Sequence, residues 1–341
     1  MMVGIGLAGT TAATDTAPTC SEVGYSQNSS GWNEVTNVSQ LQCIEANGLN
    51  QNYVLTGNID ASGTQNWNDD GSGAEGFDPI GSFSGTLDGD GNTITNLTIA
   101  RGSENGVGLF AKLDGGTVQA VGVKNINISG NNNLGGLVAN NEGGIITESY
   151  VTGSIASTGN FVGGLVGINN GHISESYATV DVASTGNIVG GLVGDNSNNG
   201  QLTEVYAVGD VSGGNLVGGL VGVSGGTVTD SYWDTEATNQ SSSNKGQGLV
   251  TVQMTGGDAL DSGNMDALSG SVWTANADTA GERRYPTLDA NPQSPPPAQL
   301  LYDGGDGSTS SPYQIATWTH LDNVRQNLDA NFTLVAELNA S

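Results

Sequence analysis

The sequence predicts an all-β protein, a parallel β-helix (β-solenoid) built from coils of about 28 residues. Three observations predict it. Leu109, Leu137, Leu165, Leu192 and Leu220 are spaced by 28, 28, 27 and 28 residues. Each interval holds two apolar/polar β-like runs separated by Gly, Asn and Ser, and no interval holds a helical pattern. Composition agrees, with 55 glycines, 6% aromatic and 12% charged residues over 341 positions. Such a chain has few long side chains to fill a broad core and suits thin β layers. Disorder is the competing reading of so much Gly and Ser, and the sustained period argues against it.

Each element of the coil has a reading. The last four leucines sit in GGLV, preceded by Gly135-Gly136, Gly163-Gly164, Gly190-Gly191 and Gly218-Gly219. The glycines are expected at sharp corners and positive φ, where a Cβ would clash. Ile146, Ile173, Leu202 and Val228 stand four positions before Tyr150, Tyr177, Tyr206 and Tyr232. A single coil could not bury its apolar side, but stacked coils could, each pairing with its neighbours at about 4.8 Å. Repetition then places like over like, so leucines and tyrosines become columns. Asn141, Asn169 and Asn196, with Ser224 in the last coil, predict an amide ladder along the axis.

The combined pattern GGLVGxNxGxIxxSYAxGxV, seen in GGLVGINNGHISESYATVDV at 163–182, resembles the GLUG repeat of large bacterial and archaeal surface proteins and adhesins. The resemblance covers about residues 39–290, including YVLTGNIDAS, GFDPIGSFSGTLDGDGNTITNLTI and SYWDTEATNQSSSNKGQGLVTVQMTG. It implies an extracellular right-handed parallel β-helix without enzymatic activity or defined catalytic residues. The sequence departs from the pattern at VYAVGDV, where Val205 replaces Ser.

The expected organisation is a leader or unstructured start at 1–19, an N-terminal cap with the first coils at 20–100, and the regular stack at 101–235. A closing segment follows at 236–290, with Trp273 and Tyr285 as plugs, then a Pro-rich linker at 291–299. LDNVRQNLDANFTLVAELNAS (321–341) echoes LQCIEANGLNQNYVLTGNIDAS (41–62), so 300–341 reads as the truncated start of a second copy, in a fragment of a longer tandem protein; a lone short capping element is the alternative. This opening segment, with apolar residues at three- and four-residue spacings, is expected to form a short helix leading into a strand.

Seven Lys plus Arg against 34 Asp plus Glu give a net charge of −27. Nucleic acid and anionic membrane surfaces are therefore excluded as nonspecific partners. With Lys112, Lys124 and Lys245 as its only lysines, the chain reads as adapted to high salinity, or as an ordinary acidic secreted protein. Cys20 and Cys43 are read as a disulfide, against the alternative of two buried thiols, and their spacing fits no zinc site. No stretch is long and apolar enough for a membrane helix, so no membrane insertion is expected in this segment. MMVGIGLAGTTAA is either a clipped signal peptide or a flexible start. Glycosylation sequons begin at Asn28, Asn37, Asn96, Asn127, Asn239 and Asn331, a weak pointer to export in a chain so rich in Asn, Ser and Thr.

Nothing in the sequence composes a catalytic set. DGDGNT (88–93) has Thr93 where a calcium loop needs Gly and Ile99 where it needs Glu, so a corner turn is expected instead. His172 occupies a slot filled elsewhere by Ile145, Gln201 and Thr227, and His320 falls in the second copy. One column stands out: Glu148, Glu175, Glu204 and Asp230, two residues before each tyrosine. Strict alternation would put these acids on the side of the buried aliphatics, which is too costly. Either the chain bends between aliphatic and acid, or cations line the column; Ca2+ or monovalent ions are the candidates, and no cofactor is required. The functional expectation is a non-enzymatic, extracellular or cell-surface adhesin-type protein contacting glycans or neighbouring surface proteins. A passive S-layer-like coat and a polysaccharide lyase or hydrolase on the same fold are the alternatives.

Overall fold

The computed structural model describes residues 16–69, 71, 73–268, 270, 272–276 and 284–289, and in the last stretch 309–310, 312–315, 321, 324 and 331–335. The leader and the Pro-rich linker expected from the sequence lie almost entirely outside these residues, as does His320. The chain divides into two units, residues 1–249 with 290–292 and residues 250–289 with 293–341.

The first unit is a parallel β-solenoid. One sheet holds six parallel strands: Ile80–Phe83, Phe110–Asp114, Val138–Glu142, Val166–Asn169, Val193–Asn196 and Val221–Ser224. A second holds the short strands Leu134–Gly135, Val162–Gly163, Ile188–Gly190 and Leu216–Gly218. The largest sheet bends along its length. Thr86–Asp88, Thr117–Gln119 and Ile145–Thr147 lie before the bend, and Gly122–Gly130 and Tyr150–Ser157 after it. His172–Ser184 crosses the bend unbroken and joins both halves.

Register puts like on like. Tyr150 pairs with Tyr177 and Tyr177 with Tyr206; the rings stack at 5.0 and 4.7 Å with interplanar angles of 10° and 5°. Leu137, Leu165, Leu192 and Leu220 are fully buried, and each backbone N–H from Leu137 to Leu192 donates to the next leucine's carbonyl at 2.9–3.0 Å. Leu109, Ile146, Ile173 and Leu202 join the same core, while Val228 in the last full coil is only partly buried.

The GGLVG signature has a steric cause. A Cβ on Gly163 would lie 2.2 Å from the Val166 carbonyl oxygen, one on Gly164 2.3 Å from that of Gly191, and one on Gly167 2.6 Å from that of Ala139. Backbone packs on backbone there. The expectation of positive φ at these glycines is corrected: they are absent from the left-handed residues, and close approach alone demands glycine.

The N-terminal end is closed by a β-α-β crossover. Asn33–Val35 pairs in parallel with Asn52–Leu55, which pairs onward with Thr86–Asp88. Between the first two run the helical turns Val38–Gln42 and Ile44–Asn47, burying Val38, Leu41 and Ile44; Asn37 caps the first turn by accepting from the Gln40 N–H. Rings fill the core end, with Tyr25, Tyr53, Phe83 and Phe110 in sequence at 5.7, 6.2 and 5.0 Å. A disulfide joins Cys20 to Cys43. Nearby, buried Arg101 gathers Glu75, Asp78 and Glu104 at 3.0–3.4 Å.

At the other end of the stack the column Val151, Ala178, Ala207 ends in Trp233. Its indole lies against Gly219, where a Cβ would sit 2.0 Å from Cδ1, and its Nε1 donates to the Gln240 carbonyl at 2.9 Å. Trp233 is thus the large aromatic that ends the first unit's core. Trp273 and Tyr285, expected as plugs, are buried residues of the second unit. In that unit Tyr313–Ile315 pairs in parallel with Phe332–Leu334, as Asn33–Val35 does with Tyr53–Leu55. The sequence echo is therefore also an echo of strand pairing.

Candidate functional site

The acid column is a corner of the stack. Thr147 pairs with Ser174 and Tyr150 with Tyr177, which sets Glu148 beside Glu175; the next registers set Glu175 beside Glu204 and Glu204 beside Asp230. All four adopt left-handed φ, at 47°, 47°, 54° and 50°, as does Ala120 at 49° in the preceding coil. This bend resolves the conflict with strand alternation. Ile146 points inward, the left-handed residue turns the chain, and Ser149 points inward again while Glu148 stays half-exposed; Tyr150 is buried on the face opposite its core neighbour Val151. Left-handed backbone costs a non-glycine residue about 1–2 kcal/mol. Serine spans the turn: Ser149, Ser176 and Ser231 donate to the carbonyls of Thr147, Ser174 and Thr229 at 2.8, 2.6 and 2.6 Å. Val205 and Val121 fill the same buried slot without that bond.

Electrostatics follow from the stacking. Burial, then Glu175 and then Asp88 raise the Glu148 carboxyl above its usual range; burial, then Glu175 and Asp230 do the same for Glu204. Glu175 accepts from the Thr147 hydroxyl at 3.2 Å. Among the described residues no group of three or more His, Cys, Asp or Glu converges as a metal site. The acids form a line along the axis.

The line stops short of Ala120. Ala120 occupies the acid's place in the coil before Glu148, beside a cleft of about 300 Å³ lined by Asp88, Asp90, Gly91, Gln119, Ala120, Thr147 and Glu148. The Gln119 amide donates to Asp88 at 2.9 Å, and the Asp90 N–H to the other Asp88 oxygen at 2.8 Å. Here unlike polar groups from adjacent coils meet, offering carboxylate acceptors, an amide and a hydroxyl to a polar ligand.

Two amide ladders run along the stack. The predicted one is present: Asn141 donates to Asn169 and Asn169 to Asn196 at 2.8 Å, and Asn196 donates to Ser224 at 3.1 Å, all three asparagines buried. A second was not anticipated. Asn132 donates to Asn105 and Asn215 to Asn187 at 2.9 and 2.7 Å, while the backbone N–H groups of Asn160 and Asn187 donate to Asn132 and Asn160 at 2.8 Å. Its signal was in the sequence, since Asn132, Asn160, Asn187 and Asn215 each stand four positions before the second glycine of a GG pair.

Residues 130–156, spanning one coil from the short strand through the clip and the acid corner, match the GLUG motif. The match is to one coil of the stack. The chain is also similar to Halomucin of Haloquadratum walsbyi, at 38% identity over 134 residues. That match covers 36% of this chain and 1% of Halomucin, so the chain corresponds to a small part of that relative's length. A crystal structure from Bacteroides ovatus, described as that of a candidate immunoglobulin A1 protease, aligns over 77% of this chain and 94% of its own with a TM-score of 0.48 and 17% identity.

Proposed function

We propose that this GLUG-repeat chain is a non-enzymatic component of the cell exterior, a stiff spacer whose lateral face contacts glycans or neighbouring surface proteins. The observation that carries the reading is the like-over-like register of the stack, from Tyr150–Tyr206 to Asn141–Asn196, which builds a repetitive wall rather than a convergent pocket of catalytic groups. The disulfide and the acidic balance support an extracellular, saline setting, and the similarity to Halomucin agrees with it. Acids at strained left-handed positions, where Gly or Asn would fit at less cost, support a role for the charge itself. Along an open line of carboxylates a diffuse layer of monovalent cations is the expected counter-charge, with calcium as the rival.

The Ala120 cleft favours a second reading, because unlike polar groups on adjacent coils are what a carbohydrate-active site on this fold would need. One experiment separates these. The full chain is applied to a glycan array in about 1 M salt, where surface charge is screened to roughly 3 Å. Binding that Glu148→Gln and Asp88→Asn weaken supports the contact role at the cleft. Ordered self-assembly with a blank array would favour a passive coat instead, and release of reducing sugar from any glycan would overturn the non-enzymatic reading.

A further inference from the structure

Six sequons are present, and the structure distinguishes them. Asn37 caps a helical turn and donates its Nδ2 to Thr36 and Gln40. Asn96 and Asn239 have left-handed backbones and donate Nδ2 to Asp60 and Asp210 at 3.2 and 2.6 Å. Asn28 is turned into its own loop, its carbonyl accepting from the Ser30 and Trp32 N–H groups. Asn331 opens the Phe332–Leu334 strand of the second unit.

Asn127 differs. It lies within the strand Gly122–Gly130, its backbone N–H donating to the Leu97 carbonyl at 2.9 Å, while its side chain is exposed and makes no hydrogen bond. Ile128 is buried, so Asn127 and Ser129 project from the same outer face, amide and hydroxyl side by side as the sequon requires. The surroundings leave room. Thr98 and Ser154 flank Asn127 in register, and Ser129 lies in a column with Ala100, Ala156, Ala183 and Ser212. A bulky group on Nδ2 would meet only short side chains along this lane and would displace no existing bond.

We propose that Asn127 carries an N-linked glycan, an inference that rests on the reading of the chain as exported. The donor class is an oligosaccharide linked through its anomeric carbon to a polyprenyl phosphate or diphosphate. A bond forms between Nδ2 and that carbon, the carbon–oxygen bond to phosphate breaks, the lipid phosphate leaves with the electron pair, and the transferase's base takes the amide proton. The glycan then stands on the sheet face on the other side of the bend from the Ala120 cleft and leaves the acid corner uncovered.

The test uses the protein made by its own producing cell, separated into exported and retained pools, with chymotryptic peptides mapped by mass spectrometry. The expected result is a hexose-containing adduct on Asn127 in the exported pool, lost completely in both Asn127→Gln and Ser129→Ala, with Asn96 and Asn239 bare. Ser129→Ala keeps the amide and puts Ala beside Ala100 and Ala156, so loss of the adduct with an unchanged melting temperature marks recognition of the sequon rather than misfolding. Bare Asn127 on exported protein overturns the inference and leaves the surface reading standing. Bare Asn127 with the protein found only inside the cell overturns both.

Discussion

The two asparagine ladders use the same residue at the same period and do different physical work. Asn141, Asn169 and Asn196 are buried; each amide bonds the next amide and also a backbone group of its own corner, as the Gly144 N–H bonding Asn141 at 2.9 Å illustrates. Asn132, Asn160, Asn187 and Asn215 lie at a solvent-facing turn, where water can replace any bond that is lost. A buried polar group left without a partner costs about 1–3 kcal/mol, whereas an exposed one costs little. The period therefore identifies a column, and burial decides how much the column matters.

Substitutions can break this contrast, beginning with the buried ladder. Asn169→Ala removes two amide bonds between successive coils and orphans groups on Asn141 and Asn196; a loss of about 3 kcal/mol is expected in denaturant unfolding. Asn160→Ala, at the exposed ladder, is expected to cost about 0.5–1 kcal/mol in the same measurement. Equal losses at the two sites would remove the distinction.

The acid corner sharpens it further, because it is a ladder whose members repel. Glu175→Gln relieves both neighbours, so melting temperature is expected to rise in dilute salt, with the gain vanishing near 1 M, where the Debye length is about 3 Å. A gain that persists in molar salt would point to packing instead of charge. For pH, Glu148 and Glu204 are raised in the folded state, so the folded protein holds these protons more tightly than the unfolded chain. Their contribution favours folding below the ordinary glutamate value of about 4.3 and is lost as pH rises through their raised values. The double variant Glu148→Gln/Glu204→Gln should flatten that part of the stability–pH curve, read by thermal melts from pH 4 to 7. The smallest effect is expected from calcium: millimolar additions should leave the melting temperature unchanged beyond matched ionic strength, and a specific rise would restore the calcium-lined column.

Much of the fold was legible because in-register stacking writes itself into sequence as a period. Leu137, Tyr150 and Asn141 repeat because each touches its own counterpart, and the break at Val205 was visible because neighbouring coils supply the comparison. What escaped notice is local geometry. A bend at Glu148 was one of the two expected ways out of the alternation conflict, but its left-handed φ was not legible, since acids seldom adopt it. The clip glycines were recognised but assigned the wrong cause, because close backbone approach depends on a neighbouring coil and not on the glycine's own dihedral angles. The Ala120 cleft brings Asp88, Gln119, Thr147 and Glu148 together from three coils, and no single motif spells that meeting out. Trp233 as the core's last aromatic required knowing which column it ends, Val151 through Ala207.

The central claim is that coils stack as interchangeable units along one axis. Excising residues 163–189 removes one complete coil and joins Val162 to Gly190, so that Leu137 should stack directly on Leu192 and Tyr150 on Tyr206. The account predicts a folded, cooperatively melting protein with the β-sheet circular dichroism of the parent, while excising 163–176, about half a coil, abolishes it. If the full-coil deletion unfolds as completely as the half-coil deletion, the coils are not equivalent and the stacking account is wrong.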